Sequence, residues 1–170
     1  MSAPTVKNRL VALAFDDPYK ADEARAALRR MEGEGLLEMD ETAIIVKKLD
    51  GNIRVTQDID TVASGQQVGH LVGLVVAAIT GVMPFILGGT IGGRLIGRLR
   101  DHGITNAFVK DVSKHLQPGT SVLILLGRSD AARRERVFER LRAANPTVLE
   151  SDLPPDVEQA LQQALRESLT

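Results

Sequence analysis

The chain has 170 residues, no cysteine, no tryptophan and a formal net charge of -1. That length suits one compact domain, or a domain with one insertion. The absence of cysteine excludes a disulfide scaffold, a thiol nucleophile and a thiolate-ligated metal. The near-neutral charge and the 3% of aromatic residues argue against a general nucleic-acid binder, which needs a basic excess or stacking platforms.

The first apolar run, Leu10 to Phe15, is too short for a secretory segment and reads as a buried strand. A cytoplasmic location is the default expectation. Asp16-Asp17-Pro18 ends the strand, and an Asp there can cap the helix that follows. Ala24, Ala27, Leu28 and Met31 share one face of that helix, and Gly33 and Gly35 close it. Thr42 to Lys48 reads as a second strand. Asp50-Gly51 signals a two-residue hairpin, with Asn52 to Thr56 as the third strand.

Of the 15 glycines, nine lie between Gly65 and Gly97, and the 33 residues from Thr61 to Gly93 hold no Asp, Glu, Lys or Arg. Gly65, Gly69 and Gly73 recur every four residues, and Ala77 and Gly81 continue the series. Beyond Pro84 the spacing returns at Gly89, Gly93 and Gly97, with Gly88 and Gly92 alongside. Positions four apart share a helix face. Glycine costs about 1 kcal/mol per position relative to Ala in a helix, so so much of it needs an offsetting gain. Close backbone approach, as in small-xxx-small packing, is one. The segment therefore reads as a helical hairpin bent at Val82-Met83-Pro84-Phe85, a glycine zipper able to self-associate. The plainer alternatives are a flexible glycine-rich loop and a soluble buried hairpin. A full membrane span needs ~20 apolar residues. Each arm is shorter than that, His70 sits in the first and Arg94 in the second. Arg94, Arg98 and Arg100 follow the apolar stretch, where they can meet lipid headgroups or end a solvated helix.

After this segment Ile104, Ala107, Phe108, Val112 and Leu116 form a helical stripe, broken at Pro118-Gly119. Val122 to Leu126 is apolar on both faces and predicts a central strand. Asp130 can cap a helix with Val137, Phe138 and Leu141 inward. Asn145-Pro146 ends it, and Thr147-Val148-Leu149 is a short strand. Pro154-Pro155-Asp156 opens a last helix, with Val157, Ala160, Leu161, Ala164 and Leu165 inward.

Val11 to Phe15, a helix and Leu37-Glu38-Met39-Asp40 echo Val122 to Leu126, a helix and Leu149-Glu150-Ser151-Asp152. Two such units suggest an α+β fold, a ferredoxin-like split βαβ sandwich with helices on one face of an antiparallel sheet and an inserted glycine-rich helical hairpin. Residues 1–60 and 101–170 form one discontinuous domain in this reading, and 61–100 the insertion. Ile104 to Leu116 would be the second helix, and the later helix, strand and helix additions.

Leu13-Ala14-Phe15-Asp16-Asp17, with Ala21-Asp22-Glu23 behind it, the central glycine-rich run, and Leu116-Gln117-Pro118-Gly119-Thr120-Ser121 together resemble a bacterial domain-of-unknown-function family, number 1269. Its members are often labelled predicted membrane proteins. The resemblance runs from about Val11 to Leu126 and more loosely to the end. It implies a shared organisation and a membrane label, and no reaction, cofactor or catalytic residue.

The chemistry-bearing residues do not assemble into an enzyme. No two of His70, His102 and His115 have metal spacing. Asp16-Asp17 fits helix capping better than catalysis. Gly88 to Gly93 lacks the lysine of a phosphate-binding loop and follows no strand. The expectation is a non-enzymatic homo-oligomeric structural protein, associated with the inner face of the cell membrane, with no cofactor, metal or nucleic-acid partner. Self-association would run through Gly65, Gly69, Gly73, Ala77, Gly81, Gly89, Gly93 and Gly97. The alternatives are a soluble cytoplasmic assembly, and a small-molecule binding or stress-sensory module on the sheet.

Overall fold

A computed structural model describes residues 7–59, 76, 79 and 104–152. They form β1 (Lys7–Phe15), α1 (Lys20–Gly33), β2 (Glu38–Lys47), β3 (Ile53–Ile59), α2 (Ile104–His115), β4 (Thr120–Ser129), α3 (Ala131–Leu141), a single 3-10 turn (Arg142–Ala144) and β5 (Thr147–Asp152). The strands make one antiparallel sheet in the order β3-β2-β4-β1-β5. The α+β class expected from the sequence holds.

Helix ends follow local chemistry. The Asp17 carboxylate accepts from the Tyr19 and Lys20 amides at 2.7 and 3.2 Å, ahead of α1. At the other end Gly35 takes φ +78°, its amide donates to the Glu32 carbonyl, and the Leu36 amide reaches the Met31 carbonyl at 3.0 Å. This pair of bonds is the Schellman closure, which favours glycine at the left-handed position. Asp130 caps α3 by accepting from the Arg133 amide at 2.8 Å.

The β2–β3 hairpin differs from the two-residue loop expected. The Lys48 amide donates to the Asn52 carbonyl at 2.8 Å across Leu49, Asp50 and Gly51, with Gly51 at φ +87°. That is a three-residue loop closed by a left-handed glycine. The Asp50 carboxylate accepts from both the backbone and side-chain nitrogens of Asn52, which holds this geometry in place of a tighter turn.

β2 also begins at Glu38, earlier than the apolar pattern alone suggested. A register shift between Met39 and Glu41 puts an irregularity at Asp40. Arg128 on the facing strand pairs with both Glu38 and Asp40, at 3.3 and 3.2 Å. The polar start of the strand is therefore held by ion pairs, which hydrophobic periodicity cannot report.

The sheet is covered on both faces, not on one. On the first face, Val11, Leu13, Phe15, Ile44, Leu123 and Leu125 pack against Leu28 and Met31 of α1 and Val137 and Leu141 of α3. On the second, Leu10, Ala12, Ala14, Ile45, Val122 and Ile124 pack against Phe108 and Val112 of α2 and the adjoining Leu116. Val76 joins this second cluster, 5% exposed, and the partly buried Ile79 packs against it. Both residues are helical. The physical reason lies in β1 and β4. Their apolar runs turn alternate residues to each side, so neither face can be left to water.

This arrangement reassigns α2. β1 and β2, joined by α1, run in the same direction with β4 between them. β4 and β5, joined by α3, run in the same direction with β1 between them. The second helix of the paired units is α3, as the internal echo implied, and β5 is integral to the sheet. α2 and the edge strand β3 are the additions. The glycine-rich segment, apart from Val76 and Ile79, and the helix expected from Pro154 lie outside the described residues.

Candidate functional site

Two of the sequence phrases that carried the family resemblance meet at one end of the sheet. Phe15 lies opposite Ser121 in the β1–β4 ladder. The Ser121 hydroxyl, wholly buried, donates to the Asp17 carbonyl at 2.6 Å and lies 3.2 Å from the Ala21 amide, which donates to it. The start of α1 is thus tied to the central strand β4. Thr120 closes the turn before that strand: its hydroxyl accepts from the Gln117 amide at 3.1 Å and lies 2.7 Å from the Gln117 carbonyl. Gly119 takes φ +85° between them. Asp17, Thr120 and Ser121 therefore hold a junction between α1 and β4. A small polar residue at the head of an apolar strand was the only sequence signal for Ser121. Ser121→Ala leaves one donor and one acceptor without this partner. It should lower stability by about 1–3 kcal/mol, read as a lower urea midpoint with an unchanged slope.

Among the described residues, the first face is concave in at least two places. A cleft of about 50 Å³ opens between α1, α3 and the sheet. Its walls are apolar, with Leu13, Leu28, Leu125 and Phe138 among them, and Gly127 on the facing strand. Arg9 and Arg134 also line it, and both engage Glu150. Arg9 Nη1 is 3.4 Å from Glu150 Oε2, Arg134 Nε is 3.2 Å from Oε1, and Arg134 Nη2 also pairs with Oε2. Arg134 lies over the Phe138 ring at 5.4 Å. These pairs tie two of the cleft's lining residues to β5.

The second concavity, about 550 Å³, lies between the start of α1 and the β2–β3 hairpin. Tyr19 and Leu49 beside it are 72% and 86% exposed. Asp22, Lys48, Asp50 and Arg54 give it charges of both signs. Sequence reasoning missed this groove, because its walls come from a helix start and a hairpin tip far apart along the chain. Among the described residues no three of His, Asp and Glu are placed to hold a metal ion.

The expected self-association residues Gly65, Gly69, Gly73, Ala77, Gly81, Gly89, Gly93 and Gly97 lie outside the described residues, as do Arg94, Arg98, Arg100, His70 and His102. His115 ends α2, where its carbonyl accepts from the Thr120 hydroxyl at 3.1 Å. No described helix is long and apolar enough to cross a membrane.

Neither a curated protein nor a solved structure matches this chain. One family model does, over residues 62–166, described as "Protein of unknown function (DUF1269)". The matched span opens in the glycine-rich segment and runs through α2, β4, α3 and β5. The Leu13 to Asp17 phrase precedes it, so the match rests on the later elements. Covering more than half of the 170 residues, it establishes that the chain belongs to this family of unknown function.

Proposed function

We propose that this chain is a non-enzymatic, homo-oligomeric structural protein that assembles through its glycine-rich segment. The observation that carries this reading is the four-residue glycine spacing on both sides of Pro84. Columns of glycine suit close helix contact and little else that would offset their cost. In the described sheet, the interlocked β1-α1-β2 and β4-α3-β5 units support a ferredoxin-like reading of the domain. Association with the inner face of the cell membrane is the second part of the proposal. Arg94, Arg98 and Arg100 would meet lipid phosphates there.

Point substitution is the sharper test, because deleting the segment would also remove Val76 from the core. With Gly69, Gly73, Gly89 and Gly93 all replaced by Leu, the expected outcome is a smaller particle by light scattering. Far-UV circular dichroism should still report a folded sheet. An unchanged particle mass would count against the glycine contact. Recovery of all the intact protein in the soluble fraction, without detergent, would remove the membrane part and leave a soluble assembly.

A second reading, a small-molecule or stress-sensory module, is favoured by the groove beside Tyr19 and Leu49. Its volume falls within the usual range of ligand sites, roughly 300–1,000 Å³.

A further inference from the structure

β3 is the outer strand of the sheet, and among the described residues it pairs with a strand on one side only, β2. Ile53, Arg54 and Val55 are exposed along it, Ile53 and Val55 at 39% and 37%. An exposed edge presents amide and carbonyl groups to any strand that can lie beside it. Most edges are blunted by proline or by a run of like charge, and β3 has neither.

The strand reads Ile53-Arg54-Val55-Thr56-Gln57-Asp58-Ile59. Laid antiparallel against a second copy about Thr56, it sets isoleucine opposite isoleucine at 53 and 59. It sets arginine opposite aspartate at 54 and 58, and Thr56 opposite itself. Strands related by a two-fold axis must bring outward-facing residues to outward-facing residues, so the axis passes through a residue and not between two. Thr56 is the one centre that pairs the whole strand. Opposite charges and paired threonines directly across a ladder are favourable, and self-complementarity is what a two-fold contact requires. Ile53 and Val55 lie opposite Lys47 and Ile45 of β2, so the seam continues the row of Ile45.

We propose that two copies of this chain join through their β3 edges, about a two-fold axis at Thr56, into one continuous antiparallel sheet. The contact is separate from the glycine-rich segment. In an assembly that uses both, it doubles the particle.

The full chain has no cysteine, so cross-linking reads the register directly. Residues opposite one another across an antiparallel pair have Cα atoms ~4.5–5.5 Å apart, within disulfide range. Thr56→Cys should give a disulfide-linked dimer on mild oxidation. Arg54→Cys should not, because its two copies sit four positions apart along the strand, roughly 13 Å. By light scattering, Arg54→Asp should halve the particle mass, and Arg54→Asp with Asp58→Arg should restore it. That rescue separates lost pairing from lost folding. The Thr56→Cys cross-link should also survive replacement of Gly69, Gly73, Gly89 and Gly93 by Leu, so this contact and the glycine contact fail separately. No Thr56→Cys cross-link, equal cross-linking at Arg54→Cys, an unchanged mass with Arg54→Asp, or loss of the cross-link in the glycine variant would each overturn the proposal.

Discussion

Leu123→Ala and Ile124→Ala will each destabilise the chain by about 2–5 kcal/mol, although the two residues point to opposite sides of β4. Both are wholly buried, on a strand bonded on each side. Leu123 packs in the cluster under α1 and α3, and Ile124 in the cluster under α2 and Val76. A domain with helices on one face only would tolerate Ile124→Ala as a near-surface change. Urea unfolding monitored by far-UV circular dichroism makes the comparison. A cost at Ile124 below about 1 kcal/mol, the range of surface substitutions, would mean that the second face is not a packed layer. The substitutions are adjacent and remove similar volumes, so the comparison sets one face of β4 against the other.

The next largest effect is expected at Gly127. A Cβ placed there would stand 2.8 Å from the Glu38 carbonyl oxygen and 3.1 Å from Leu125 Cδ1. The first neighbour is backbone and cannot swing away. Gly127→Val should therefore cost about 1–3 kcal/mol through overpacking. It should do so by pushing β2 from β4 beside Asp40, where Arg128 bonds Asp40 and Glu38. Gly33→Ala is the matched control. Nothing lies within 4 Å of a Cβ there, and Gly33 is not among the positive-φ glycines. It should be neutral or stabilising by about 0.4–1 kcal/mol, through a less flexible unfolded chain. Equal Tm values for wild type and Gly127→Val would show that β2 and β4 do not approach so closely at this point.

Much of the fold was legible because local chemistry and packing agree in it. The face of Ala24, Leu28 and Met31 specified α1, and Asp130 marked the start of α3. The doubly apolar Val122 to Leu126 run placed β4 in the middle of the sheet. Where the reading departed, a long-range interaction had decided the outcome. The extension of β2 to Glu38 depends on Arg128, distant in sequence. The hairpin loop depends on the two bonds between Asp50 and Asn52, which outweigh the tighter turn that Asp-Gly favours. For the candidate site, the Asp17 cap was legible as a motif. Its tie through Ser121 to β4 was not, because a serine at the head of a strand has no local pattern.

By itself the sequence determined the α+β class, the amphipathic faces, the glycine spacing, the absence of cysteine and the near-neutral net charge. Each of these is a property of composition or of period along one element. Only the tertiary structure decided that α2 lies on the opposite face from α1 and α3, and that β5 completes the sheet. It alone showed that Val76 belongs to the core and that β3 is left at the edge. Hydrophobic periodicity says that a face must be buried, and not which of several equally apolar partners will bury it. That choice is made by strand order, which depends on all the contacts together.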